Sequence, residues 1–220
     1  MAESYSIKNF VASMSKAGGF ARTARYAVRI HPPSLLRVLN EREGQAILRD
    51  GVTAEPSDAK NLLNMHSIAR QVGQQVNLHC DSIKIPGHDL KAQSVQHGSA
   101  PAREMVTSHG YEGTIAATFY MDENLETKSY FDLWQHMAVN NRTHKARYYS
   151  DYVGKMQIFQ LGGGGRTYGM EVEEVYPATI GQVEYAYESV DALALLPVEF
   201  QYRKWKTIDP RTLDKDGRGR

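Results

Sequence analysis

The sequence is short of most features that assign a protein quickly. Among its 220 residues there is one cysteine, Cys80, which excludes an intramolecular disulfide and any cysteine-cluster zinc site. It holds no apolar run of the roughly 18 residues that a membrane-spanning helix requires. Its start, MAESYSIKNF, lacks the basic-then-apolar order of a secretory signal. The expected setting is aqueous and cytosol-like, with no membrane partner. A surplus of one charge sign is missing too: 26 Lys and Arg face 25 Asp and Glu, a net of +1. A domain that holds nucleic acid by bulk attraction carries a marked cationic excess.

Catalytic and metal signatures are equally scarce. No nucleophile elbow, Cys-His-Asn group or Asp-rich calcium loop can be placed. The eight histidines include no HxxxH pair. His79 and Cys80, adjacent in a stretch read as extended, would point to opposite faces and cannot easily share an ion. The glycines at 162–165 invite a phosphate-loop reading, but the following MEVEEVY alternates like a strand and no Lys-Ser/Thr closes the motif. A hairpin loop is the better assignment. No catalytic residue, metal or cofactor is expected.

What is present is a chain of ordinary composition, 41% hydrophobic and 23% charged, long enough to bury roughly 70% of its unfolded surface. Its charge is unevenly placed. Residues 203–220 hold seven Lys and Arg against three Asp and Glu, which leaves a net of −3 on residues 1–202. The tail from Asp209 has a single aliphatic residue, Leu213, too little apolar surface to offset its ordering entropy. Ile7, Phe10, Val11 and Met14 have the spacing of one helical face, closed by Gly18-Gly19. RYAVRI puts Tyr26, Val28 and Ile30 on one side of a first strand ending at Pro32-Pro33. Residues 34–75 read as a loop or insertion with some helix.

From Val76 onward strands dominate: VNLHCDSIKIPG, GTIAATFYM, KMQIFQL, GQVEYAYES and LPVEFQYRKW each alternate. Their short connections fit antiparallel pairing. One helix interrupts them, with Ser129 as the expected cap, Asp132 in its first turn, and Tyr130, Trp134, Met137 and Ala138 on one face. Glu171, Glu173, Glu174, Glu184 and Glu188 form an acidic group on the later strands, which reads first as a solvated face.

Several stretches together resemble the tail tube protein of contractile-tailed, T4-like bacteriophages. They are TFYMDENLETKSYFDLWQ (118–135), DYVGKMQIFQL (151–161), EEVYPATIGQVEYAYES (173–189) and LPVEFQYRKW (196–205), with weaker support from GGFARTARYAVRI, SIKIPG and PAREM. The stretch 34–75 is longer than the connection in the family's short members. The resemblance implies a mainly β fold, two packed antiparallel sheets with a flanking α-helix, and hexameric rings sharing a continuous inner barrel. It divides the chain into an N-terminal helix or arm (1–20), a tube domain (21–209) and a basic tail (210–220).

The implied function is structural: stacked rings form the inner tube through which phage DNA passes without specific binding. The implied partners are the sheath protein, the baseplate tube initiator and the tail terminator, and the place is the virion tail, after synthesis in the host cytoplasm. Alternatives on the same fold are the initiator ring itself or the tube of a bacterial injection device. Carboxylates keep a polyanion off a wall where lysines would capture it, so Glu171, Glu173, Glu184 and Glu188 are candidates to line the lumen. The basic tail is expected away from it. Phe131, Trp134 and Tyr176 are candidates to anchor the helix or an interface, Tyr176 marking a strand bend before Pro177. A different class, a hydrolase or sugar-binding sandwich, would use Trp134 or Tyr148, Tyr149 and Tyr152 as an aromatic platform and requires a deep preformed pocket.

Overall fold

A computed structural model describes residues 7–16, 19–33, 73, 75–111, 113–139, 144, 146–163, 165–185 and 193–209. The readings of residues 34–72, of Glu188 and of the tail 210–220 lie outside the described residues.

The alternation seen in the sequence becomes burial. β1 (Tyr26–His31) buries Val28 and Ile30, β5 (Thr114–Tyr120) buries Ile115, Ala117 and Phe119, and β6 (Gly154–Gly162) buries Met156 and Ile158. β7 (Gly165–Ile180) adds Met170, Val172 and Val175, and β8 (Leu195–Gln201) adds Leu196, Val198 and Phe200. With β2 (Cys80–Ile83) they form an antiparallel sheet in the order β1-β6-β7-β8-β5-β2, and β9 (Lys204–Ile208) pairs with the first part of β7.

The two expected layers are halves of one sheet that folds at β7. Up to Glu173 that strand runs between β6 and β9; from Tyr176 it pairs with β8. Glu174 sits at the changeover with φ 56°, and a second register shift follows between Pro177 and Thr179. The bend expected at Tyr176-Pro177 is thus a pair of irregularities flanking it, because Pro177 has no N–H to give a ladder. The sheet's ends meet through side chains. The Tyr26 hydroxyl donates to the carbonyls of Cys80 (2.9 Å) and Asp81, and the Ile30 N–H donates to Asn77 Oδ1 at 2.7 Å. Burial, with Cys80 and Asp81 nearby, pushes the Tyr26 hydroxyl up to about 12, so it stays a donor.

Helix α2 (Glu126–Ala138) fills the space between the halves; α1 (Ile7–Lys16) precedes it in the chain, and α3 (Tyr149–Tyr152) follows. Phe131 and Trp134 are fully buried, Phe131 lying 4.9 Å from Phe119 and 5.8 Å from Phe200 between ring centres. Trp134 Nε1 donates to the Tyr152 carbonyl at 2.7 Å. Gly154 is where this packing leaves no room for a side chain: a Cβ there would meet the His31 carbonyl and lie 2.8 Å from Trp134.

Four sequence readings need correction. The α2 cap is not Ser129: the Asp122 carboxylate accepts from Glu126 N and Thr127 N, both at 3.0 Å, so the helix starts earlier and Asp132 pairs with Lys128 in its middle. The strand read from Val76 starts at Cys80, because Val76 ends a helical turn that Asn77 locks by donating to the Gly73 carbonyl at 3.2 Å. Residues 181–185 are not a strand; the chain leaves β7 at Gly181, whose N–H is taken by Pro197 O at 2.8 Å. LPVEFQYRKW is broken at Tyr202-Arg203 into β8 and β9, which serve different halves. The glycines at 162–165 do close a β6-β7 hairpin, with Gly165 at φ 119°.

Candidate assembly interface

β9 places lysines against the carboxylates of β7. Register sets Glu171 opposite Lys206 and Glu173 opposite Lys204, with Gln157 and Lys155 completing the rows on β6. Lys206 Nζ lies 3.0 Å from Glu171 and 2.8 Å from Glu173, Lys204 lies 3.2 Å from Glu173, and Gln157 donates to Glu171 at 3.0 Å. Partial burial pushes the Glu171 carboxyl up, but Gln157 and Lys206 outweigh it and hold it below the ordinary range. Lys206 and Lys204 do the same for Glu173. Lys206 is held well above its ordinary range by the same two carboxylates.

The acidic group of the sequence is therefore not a bare acidic face. Glu171 and Glu173 belong to a mixed ladder, and Glu174 pairs with Arg203 at 2.8 Å. Glu184 lies beyond the strand, exposed. The sequence reading missed the ladder because it put Lys204 in one long strand with β8 that ends at Trp205, and left Lys206 outside it. The alternation of KWKTI against MEVEE was the available signal.

Tyr176 joins Tyr149 and Tyr152 in an edge-to-face cluster, with centroids 5.3 Å from Tyr152 and 6.4 Å from Tyr149. Burial and the Glu174 carboxylate push the Tyr149 hydroxyl up to about 12. Tyr149, Tyr152 and Tyr176 pack edge-to-face on one another, Trp134 is inside the core, and Tyr148 stands exposed beside them.

A second sheet went unread in the sequence. β3 (His88–Val95) and β4 (Arg103–Tyr111) make a two-stranded ribbon. Its register puts His88 opposite Tyr111, Leu90 opposite His109 and Ala92 opposite Val106 on one face, with Ser94 opposite Glu104 toward its tip. The base is fixed to the body: Trp205 Nε1 donates to the Gly87 carbonyl at 3.2 Å, and the Trp205 ring centre lies 5.4 Å from His88 and 6.1 Å from Tyr111. Further out the face is uncovered, with Leu90 and Val106 each 62% exposed. A shallow groove of about 550 Å³ runs along it, lined by His88, Leu90, Val106, His109, Tyr111 and Trp205 among others. Among the described residues no group of acidic, histidine or cysteine side chains is placed to hold a metal, and no helix is long and apolar enough to cross a membrane.

The family model for the phage tail tube protein matches residues 21–208. No curated protein matches the sequence. Among solved structures, the fold is similar to a chain of the sheath-tube complex of the PVC extracellular contractile injection system in its extended state. The TM-score is 0.51 at 8% identity, over 86% of this chain and 91% of that one. A chain from the sheath/tube terminator of the same system matches with a TM-score of 0.51 at 7% identity, over 86% of this chain and 96% of that one. Those likenesses show a shared fold, and the sequence match carries the assignment: the chain belongs to the phage tail tube protein family, a structural component of a tail and not an enzyme.

Proposed function

We propose that this chain forms hexameric rings that stack into the inner tube of a contractile phage tail, the conduit through which DNA leaves the virion. The observation that supports this best is β9, a strand that among the described residues is paired on one side only, by β7. An unpaired edge is a template for another strand, and closing a ring of subunits removes it. Ring-on-ring contacts are heterologous and extend without limit. The exposed ribbon supplies apolar surface for such a contact. In this reading the sheath, a baseplate initiator and a terminator are the partners, and Tyr176 lies at the subunit contact.

The lumen assignment changes its physical content for Glu171 and Glu173. A wall carrying their ladder with Lys155, Lys204 and Lys206 neither captures a polyanion as bare lysines would nor repels it as bare carboxylates would. Glu184 and Glu188 remain the candidates for a repelling wall. Electron microscopy of the purified full chain tests the assembly. Long hollow tubes support the tube, discrete rings support an initiator, and a monomer at high concentration would sink the reading. Encapsidated DNA in the same particle separates a phage tail from an injection device.

A further inference from the structure

We infer that Trp205 couples the open edge of β9 to the ribbon, so that a strand pairing with β9 also fixes where the ribbon stands. The latch is a property of the single chain; its use in a ring rests on the assembly reading above. The ribbon leaves the body after β2 and rejoins it before β5, and every residue from His88 to Ser94 and from Arg103 to His109 is exposed. A two-stranded ribbon with so little packed on it is marginal in water, so its setting depends on its base. There the Trp205 Nε1–H donates to the Gly87 carbonyl at 3.2 Å, the Trp205 ring meets His88 and Tyr111 edge to face, and Tyr111 meets Tyr202 with ring centres 6.4 Å apart. Both holding residues, Tyr202 and Trp205, belong to the segment that turns from β8 into β9.

Those contacts hang the ribbon on a weakly secured strand. β9 has five residues and among the described residues pairs with β7 alone. A short strand with one ladder sits at the low end of local opening free energies. When β9 opens, Trp205 leaves with it, and the ribbon loses a hydrogen bond and its aromatic contacts together. Pairing the free edge of β9 with a further strand opposes that opening; because coupling is reciprocal, a fixed ribbon also steadies β9. Alternation keeps this task apart from the charge ladder. Lys204 and Lys206 reach the Glu171 and Glu173 carboxylates on one face, while Trp205 between them packs on the core and holds the ribbon. A ring closed through β9 would thus set its ribbons in one common orientation before a second ring arrives.

Hydrogen exchange on the dissociated full-length chain tests the latch. Trp205→Ala should speed exchange of the β3 and β4 amides about tenfold, the scale of one hydrogen bond plus an aromatic contact, and leave the α2 amides unchanged. Trp205→Phe keeps a ring without the donor and should lie between. Thr207→Pro weakens β9 from a position whose hydroxyl lies 3.5 Å from that of Tyr168 on β7, and should speed the ribbon along with β9. A ribbon that stays protected while β9 frays in that variant would overturn the coupling, as would α2 accelerating in step with the ribbon. Rings of the Leu90→Ser, Val106→Ser chain test the assembled case, because their ribbons lack the apolar side chains a second ring would meet. Protection of β9 and of the ribbon should both rise over the monomer there; a rise in β9 alone would count against the latch. A wild-type chain that forms neither rings nor tubes would remove the assembly reading and leave the monomer comparison to decide the latch.

Discussion

In β8 the alternate residues Leu196, Val198 and Phe200 disappear beneath α2, whereas in β3 and β4 the alternate residues Leu90 and Val106 stay open to water. Both regions obey the period-two rule of a strand with one apolar face. They differ in what covers that face. The body carries its own cover, a helix held by Asp122 at one end and by the Trp134 bond to Tyr152 further along. Among the described residues the ribbon carries none. An apolar strand face left open in this way is the kind of surface that the proposed tube would bury between subunits.

Substitutions can break this contrast, beginning with the core. Trp134→Ala removes the largest fully buried side chain and should destabilise the monomer by about 3–5 kcal/mol, measured by urea unfolding of dissociated chains. An effect below about 0.5 kcal/mol, the range of a surface site, would mean that α2 is not the cover. Asp122→Ala should cost about 0.5–2 kcal/mol, the usual worth of an N-cap, while Ser129→Ala should change little. The reverse order would restore the cap expected from the sequence.

The β7-β9 ladder is a smaller contributor. Its lysines are half-exposed and its carboxylates partly buried, so Glu171→Gln or Glu173→Gln should each cost on the order of 1 kcal/mol, less at high salt. The pH dependence has a definite sign. Both carboxyls are held below their ordinary range in the folded chain, so their stabilisation is complete above that range and is lost as pH falls through the depressed values. Unfolding midpoints of the wild type and the double Gln variant should therefore differ at neutral pH and converge in acid. If the tube wall carries the ladder, the double variant should also retain DNA more strongly, by leaving Lys204 and Lys206 bare. Smallest of all is the effect of Leu90→Ser with Val106→Ser on monomer stability, within about 0.5 kcal/mol. The same pair should abolish long tubes.

The body was legible in the sequence because most of its strands bury every second residue and punctuate with glycine: β1, β5 and the buried face of β8 follow directly from Val28, Ile115 and Val198, while β6, bounded by Gly154 and Gly162, buries both faces from Met156 to Phe159. What escaped depends on partners distant in the chain. Asp122 caps α2 from outside the helical pattern, and Asn77 breaks the alternation by bonding to Ile30, 47 residues away. Residues 181–185 alternate in sequence yet pair with no strand among the described residues, since Gly181 has already turned toward Pro197. The ladder was invisible for a related reason: Glu171 and Lys206 meet only because β9 doubles back along β7. The ribbon was missed because REMVTSHGY mixes apolar and polar residues around a register shift between Lys91 and Ala92, which blurs the alternation.

The central claim is that this chain completes its surfaces by meeting copies of itself. Electron microscopy of the purified full-length chain, at a concentration where light scattering reports its mass, tests that most directly. The account predicts sixfold hollow tubes that lengthen with protein concentration. A stable monomer with no rings or tubes at any concentration would contradict it.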